Sequence, residues 1–299
     1  MSAPAPLLSV LCLTYNHEAF VAETMESFLA QRTGFEIEVV VADDCSTDAT
    51  LHVVEGFRHR FGARLRVLRT DVNLGVTRNF RRALAACRGR YVALCEGDDH
   101  WRGHDKLQRQ VDFLEAHPRY VLAFHDAVVI GRTSLAGRLQ LPQRRFRRDA
   151  SRAELSATRP ISTLTVCFRN VLGPLPAELD QAPALDLCLW SLLGQHGEGR
   201  FMPDIEPACY RVHAGGVFSS QGERNRYVMT AQSLLALSRV YASNGQLALS
   251  ERLLLQAGLM ASRRMKVFTT LRLAAESLVW LVLRLLRTAW LTLTRRELR

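Results

Sequence analysis

The stretch Tyr91-Val92-Ala93-Leu94-Cys95-Glu96-Gly97-Asp98-Asp99 decides how this chain is read. An apolar run of strand length gives way, without a polar linker, to three carboxylates in four positions hinged on a glycine. The same grammar recurs upstream. Aliphatic and β-branched runs at 7–13, 38–42 and 65–69 alternate with amphipathic stretches at 19–31, 49–61 and 78–87, as βαβ units do. These strands are buried on both faces and predict an open, doubly covered α/β sheet. In such sheets ligands collect beyond the carboxyl ends of the strands. Here those ends carry Thr14-Tyr15-Asn16, Asp43-Asp44-Cys45-Ser46 and Glu96-Gly97-Asp98-Asp99.

Closely packed carboxylates repel one another unless a cation or basic groups lie among them. Hard ions such as Mg²⁺ and Mn²⁺ take carboxylate oxygens and leave positions open for phosphate. The acidic turn is therefore a candidate metal or ribose site, with a solvated acidic turn as the alternative. Asp44 is a candidate for a base amide or a ribose hydroxyl. Asp48, in Ser46-Thr47-Asp48, fits helix capping better.

Four motifs in register resemble family 2 glycosyltransferases over about residues 7–220: Thr14-Tyr15-Asn16, residues 41–48, Asn73-Leu74-Gly75 with Arg78-Asn79, and residues 93–101. The resemblance implies a GT-A fold and transfer of a sugar from a nucleotide-diphosphate donor, a UDP-sugar foremost, with inversion at the anomeric carbon. It implies nucleotide-sugar contacts at Thr14, Tyr15, Asn16, Asp44, Arg78, Asp98 and Arg211, and a divalent cation, Mn²⁺ or Mg²⁺, at Asp98, Asp99 and His213. Glu96 stands where the family more often has aspartate. Inversion by single displacement needs a base for the acceptor hydroxyl, and Asp186, at the start of a helix over 185–195, sits at the matching place; helix capping is its other reading. Tyr210-Arg211-Val212-His213-Ala214-Gly215-Gly216 resembles a late motif that closes over the diphosphate, with Arg211 and His213 on one side of a strand. His17, His100, His104 and His125 lack zinc-site spacing and are given no metal role. Trp101 fits either an acceptor pocket or packing.

The remaining sequence sets the context. The chain has 299 residues, 48% of them hydrophobic, and a formal net charge of +10, which favours an anionic partner without choosing it. Residues 131–160 are arginine-rich and read as a loop-rich crossover, followed by strands at 162–169 and 205–212 and by helices from Arg224 onward. The expected division is a catalytic domain over 1–222 and a C-terminal α-helical extension over 223–299. Residues 267–293 are apolar but interrupted by Arg272, Glu276, Arg284 and Arg287, which disfavours a membrane span. With Trp280, Trp290 and flanking basic clusters they suit an amphipathic helix on an anionic membrane surface, or one packed on protein. That placement suggests a saccharide or lipid-linked acceptor. The seven cysteines have no paired spacing and read as reduced thiols. With no basic leader at the start, the expected location is cytoplasmic, peripheral on the membrane's inner face. Two rivals are disfavoured: a nucleotidyltransferase lacks its glycine- and lysine-rich loop after residue 13, and a nucleic-acid-binding module lacks aromatics among its basic residues and leaves the acidic motifs unexplained. A third, a glycosyltransferase-like scaffold without activity, sits poorly with the retained Asp98, Asp99, Asp186 and His213.

Overall fold

The computed structural model describes residues 5–131, 140–141, 143–218 and 220–264. In chain order the first half runs β1 (Leu8–Thr14), α1 (Val21–Leu29), β2 (Ile37–Asp43), α2 (Thr50–Gly56), α3 (Arg58–Phe61), β3 (Leu65–Leu68), α4 (Val76–Ala86), β4 (Tyr91–Leu94), α5 (Lys106–Ala116), β5 (Tyr120–Phe124) and β6 (Ala127–Gly131). The second half runs β7 (Gln140–Leu141), α6 (Arg152–Ser156), β8 (Cys167–Arg169), α7 (Leu185–Gly194), β9 (Glu198–Phe201), β10 (Ala208–Val212), α8 (Glu223–Ser243) and α9 (Leu247–Arg264).

Seven strands form the central sheet in the order β3-β2-β1-β4-β8-β5-β9, and β10-β6-β7 form a small second sheet. β3, β2, β1 and β4 are mutually parallel, while β8 runs antiparallel to both its neighbours. Every residue of β1, β2 and β4 is buried. Alternate side chains enter opposite layers: Leu11, Leu13, Val40, Ala42, Val92 and Leu94 on one face, Val10, Cys12, Val39, Val41, Tyr91 and Ala93 on the other. The two layers explain the continuous apolar runs in the sequence. This is the GT-A architecture that the motifs imply.

Several expectations are refined. The helix read over 49–61 is two helices, α2 and α3, meeting at Phe57. The strand read over 162–169 is a 3₁₀ turn at Thr163–Thr165 followed by the short β8. The crossover contains α6, opened by a capping box between Ser151 and Glu154. α5, β5, β6 and β9 have no separate counterpart in the sequence pattern. The expected boundary at 222/223 falls at the Gly222 N-cap of α8. Leu234, Leu237 and Tyr241 of α8, with Leu253 and Ala257 of α9, lie in the same hydrophobic cluster as the sheet. Ala184 N donates to Ser233 Oγ at 2.8 Å and ties α8 to the head of α7. Among the described residues no helix is long and apolar enough to cross a membrane; the amphipathic segment at 267–293 lies outside them. All seven cysteines are free thiols.

Candidate active site

Backbone bonds carry the β1–β4 ladder past the strands: Cys95 N donates to Leu11 O at 3.2 Å and Gly97 N to Leu13 O at 2.9 Å. The acidic turn is therefore pinned against the end of β1. Thr24, on the buried face of α1, donates its hydroxyl to Gly97 O at 3.0 Å and Asp99 O at 2.7 Å. From the other side His100 and Cys209 exchange two backbone bonds, so β10 delivers Arg211 and His213 to the same turn. Gly97 is required for this closeness: a Cβ there would stand 2.6 Å from Thr14 Cγ2 and 2.9 Å from His17 Nδ1.

The carboxylates face different surroundings. Asp98 Oδ2 lies 2.9 Å from His213 Nε2 and 4.0 Å from His17 Nε2. Burial raises its proton affinity, but the His213 hydrogen bond and the two imidazoles outweigh that and hold Asp98 below the ordinary carboxylate value. Asp99 is buried, and its Oδ1 accepts from Arg211 N at 2.7 Å. Burial, with the charges of Asp98 and Glu96, pushes it well above the ordinary value. Glu96 accepts from the Thr163 hydroxyl at 3.1 Å, and burial with the neighbouring Asp98 pushes it up to about 7. Asp186 lies in the first turn of α7, close enough for its charge to help raise Glu96, and desolvation pushes Asp186 itself up to about 6. His17 is driven down by burial against the opposing charge of Asp98.

The other expected residues are placed as follows. Thr14 is buried with its hydroxyl on Asp43 Oδ1 at 2.9 Å, while Tyr15 stands 44% exposed at the mouth. Asn16 takes a left-handed turn (φ 55°), its side chain accepting from Thr47 N at 2.8 Å. Asp44 is buried, each oxygen accepting one amide, from Leu74 N at 2.8 Å and Gly75 N at 2.9 Å, so it shapes the loop before α4. Arg78 is exposed on α4 with Nε 3.6 Å from Asp180 Oδ2, on a shallow pocket of about 310 Å³ lined also by Leu74, Pro183 and Gln232. Arg211 donates from Nε to Asp98 O at 2.9 Å and pairs with Glu23. Asp48 stands one residue before Ala49, the N-cap of α2, so it is not the cap residue expected; it accepts from Thr50 N at 2.9 Å and from the distant Glu18 N at 3.1 Å. Trp101 is buried, donating to Leu164 O at 2.8 Å, which favours its packing role.

The metal set expected at Asp98, Asp99 and His213 meets a different grouping. Among the described residues, the cluster able to hold a cation is His17, Asp98 and His213, with one ligand atom from each lying within 4.8 Å of the others. Asp99 points instead to the β10 backbone. Sequence reading gave His17 no metal role because its partners are 81 and 196 positions away and no local spacing marks it. The only local signal is its position, three residues beyond an apolar strand.

A family model described as "Glycosyl transferase family 2" matches residues 9–173. The chain belongs to glycosyl transferase family 2. The uncharacterized protein Rv1520 of Mycobacterium tuberculosis (strain H37Rv) is 37% identical over 217 residues, 71% of this chain and 61% of its own length. This family 2 chain thus matches under two thirds of that relative. The poly(ribitol-phosphate) beta-N-acetylglucosaminyltransferase TarS of Staphylococcus aureus is 33% identical over 168 residues, 55% of this chain and 28% of TarS. A crystal structure of TarS residues 1–349 with UDP-GlcNAc superposes with a TM-score of 0.61 at 21% identity, covering 85% of this chain and 72% of that one. The mannosyltransferase PcManGT of Pyrobaculum calidifontis, solved with GDP-Man and Mn²⁺, superposes with a TM-score of 0.56 at 17% identity, covering 93% and 81%. These two structures share the fold of this family 2 chain.

Proposed function

We propose that this chain transfers a sugar from a nucleoside-diphosphate donor, a UDP-sugar, to a saccharide or lipid-linked hydroxyl acceptor with inversion. The observation that carries the reading is one place in the fold: Asp98 and His213 converge at the carboxyl end of β4, and the carboxyl of Asp186 lies within electrostatic reach of Glu96 in the same turn. Family membership and the ligands in the TarS and PcManGT structures support it.

The residues fit a divalent cation: a carboxylate held ionised beside imidazole nitrogens. When bound, the cation neutralises charge developing on the departing diphosphate. This chain's residues do the rest. Asp98 and His213 would hold the cation, while Tyr15, Asp44 and Arg78 would frame the nucleoside side and Arg211 would meet phosphate. The acceptor oxygen attacks the anomeric carbon from the face opposite the diphosphate; the new C–O bond forms as the bond to the phosphate oxygen breaks. The hydroxyl proton passes to Asp186, which with a pKa of about 6 is ionised at neutral pH yet basic enough to take it. Thr24 and Thr163 hold the acidic turn in place through Gly97 O and the Glu96 carboxyl. We place the reaction on the cytoplasmic face of a membrane, reached through the amphipathic segment at 267–293 with its flanking basic clusters. A chain ending at Arg264 is expected to stop co-sedimenting with anionic phospholipid vesicles while the full chain continues to.

The test is thermal stabilisation by UDP, GDP, dTDP and CMP, each with Mn²⁺ and with EDTA, since a ligand bound by the native state alone raises stability by mass action. UDP with Mn²⁺ is expected to stabilise and UDP with EDTA not to. Stabilisation by none of the four in either condition would overturn the reading.

A further inference from the structure

We propose that His17 is a third protein ligand of the cation, giving a site of two imidazoles and one carboxylate that favours Mn²⁺-class ions over Mg²⁺. This rests on the cation reading above and changes both its ligand set and its metal.

The geometry is specific. His213 Nε2 and His17 Nε2 approach the same oxygen, Asp98 Oδ2, at 2.9 and 4.0 Å. An ion with bonds of about 2.1 Å holds neighbouring ligand atoms about 3 Å apart and opposed ones about 4 Å apart. The three ligand atoms lie within 4.8 Å of one another, so side-chain shifts alone would close them round an ion. Among the described residues His17 Nδ1 is buried without a hydrogen-bond partner, and Nε2 lies beyond hydrogen-bond reach of Asp98. Burying an unpartnered imidazole costs free energy, yet the chain holds it rigidly. The left-handed Asn16 before it is pinned to Ser46 and Thr47, and the His17 amide donates to Thr50 Oγ1 at 2.6 Å. His17 O then accepts from Phe20 N and Val21 N, so the ring stands on the entry to α1. Across the cluster the two imidazoles meet edge to face with centroids 6.0 Å apart, and Phe20 packs on the His213 ring at 4.8 Å.

Asp99 does not compete for this role: its Oδ1 accepts from the Arg211 amide, and it falls outside the grouping of ligand atoms that His17, Asp98 and His213 make. The acidic turn then offers the cluster one carboxylate, from Asp98. Mg²⁺ demands oxygen ligands and keeps its waters, whereas imidazole suits later divalent ions, and two histidines with one carboxylate leave open positions on one side. Those positions are where phosphate oxygens would enter.

The test uses Mn²⁺ alone on the full chain, followed by electron paramagnetic resonance. In the wild type, ¹⁴N modulation is expected to count two imidazoles, and Mg²⁺ is expected to displace Mn²⁺ only at 100-fold excess or more. His17→Ala should raise the Mn²⁺ dissociation constant at least about 10-fold and leave one imidazole, whereas His104→Ala should change nothing. A wild-type count of one imidazole, or unchanged Mn²⁺ affinity in His17→Ala while Asp98→Asn loses binding, overturns the role of His17 and leaves the proposed function standing. Unchanged affinity in both variants overturns the cation site itself.

Discussion

Two buried acidic groups sit at opposite ends of the same strands and have opposite proton affinities. At the amino end, Glu38 is buried on β2 opposite Ser9 of β1. Its carboxylate accepts from the Ser9 hydroxyl at 2.6 Å, the Arg88 amide at 2.7 Å, and the guanidiniums of Arg88 and Arg66 at 2.8 and 3.1 Å. Burial works against its charge, but these donors outweigh it and hold Glu38 below the ordinary value. At the carboxyl end, Glu96 and Asp99 have few donors and one another for neighbours, and both are raised. One end is satisfied by the chain itself. The other is left short of positive charge, which a cation and its ligand would supply. Glu38 comes with its partners, whereas Glu96 and Asp99 are left wanting beside Asp98, which His213 and His17 hold ionised.

Asp186→Asn should break the functional end most severely. We expect transfer to fall roughly 10²–10⁴-fold, with stabilisation by UDP and Mn²⁺ unchanged, measured by release of UDP in the presence of acceptor. In the wild type the rate should rise with pH through about 6 and then level, following ionisation of Asp186.

Glu38→Ala should break the structural end. It strands Ser9 and two arginines, and we expect a loss of about 3 kcal/mol, read by urea denaturation at pH 7. Because the folded-state value of Glu38 is lowered, its contribution is present above the unfolded carboxylate value of about 4.3 and is lost as pH falls below it. The wild type and the variant should therefore converge in acid.

Glu96→Gln should sharpen the comparison with a smaller effect of the opposite sign. The folded protein without metal keeps a proton on Glu96 up to about 7, whereas the unfolded chain releases it near 4.3. Between those values the native state binds more protons, so the wild type loses stability as pH rises. We expect the variant to be more stable in EDTA by on the order of 1 kcal/mol at pH 8 and no different at pH 4.

Much of this division was legible in the sequence. The apolar runs ending in Thr14, Asp43 and Leu94 are β1, β2 and β4, and the carboxyl-end rule puts the acidic turn at the carboxyl ends of the central strands. Local pattern served because each parallel strand is an uninterrupted apolar run. It failed where structure depends on distant partners. β8 and β9 are three and four residues long and are set by pairing with β4 and β5. The site shows the same limit. Asp98 and His213 were legible from motifs, but the turning of Asp99 toward β10 depends on the small second sheet. His17 enters the cluster through the left-handed Asn16 and the missing side chain of Gly97, and neither leaves a mark on spacing.

The most direct measurement is anomalous diffraction from a crystal soaked with Mn²⁺ and UDP. The account predicts a single strong peak between Asp98 and His213, within bonding distance of both and of the diphosphate, and the same soak of Asp98→Asn should leave that position without a peak. A peak elsewhere on the chain, or UDP bound at the acidic turn with no metal beside it, would contradict the claim that this end of the sheet is built around a cation.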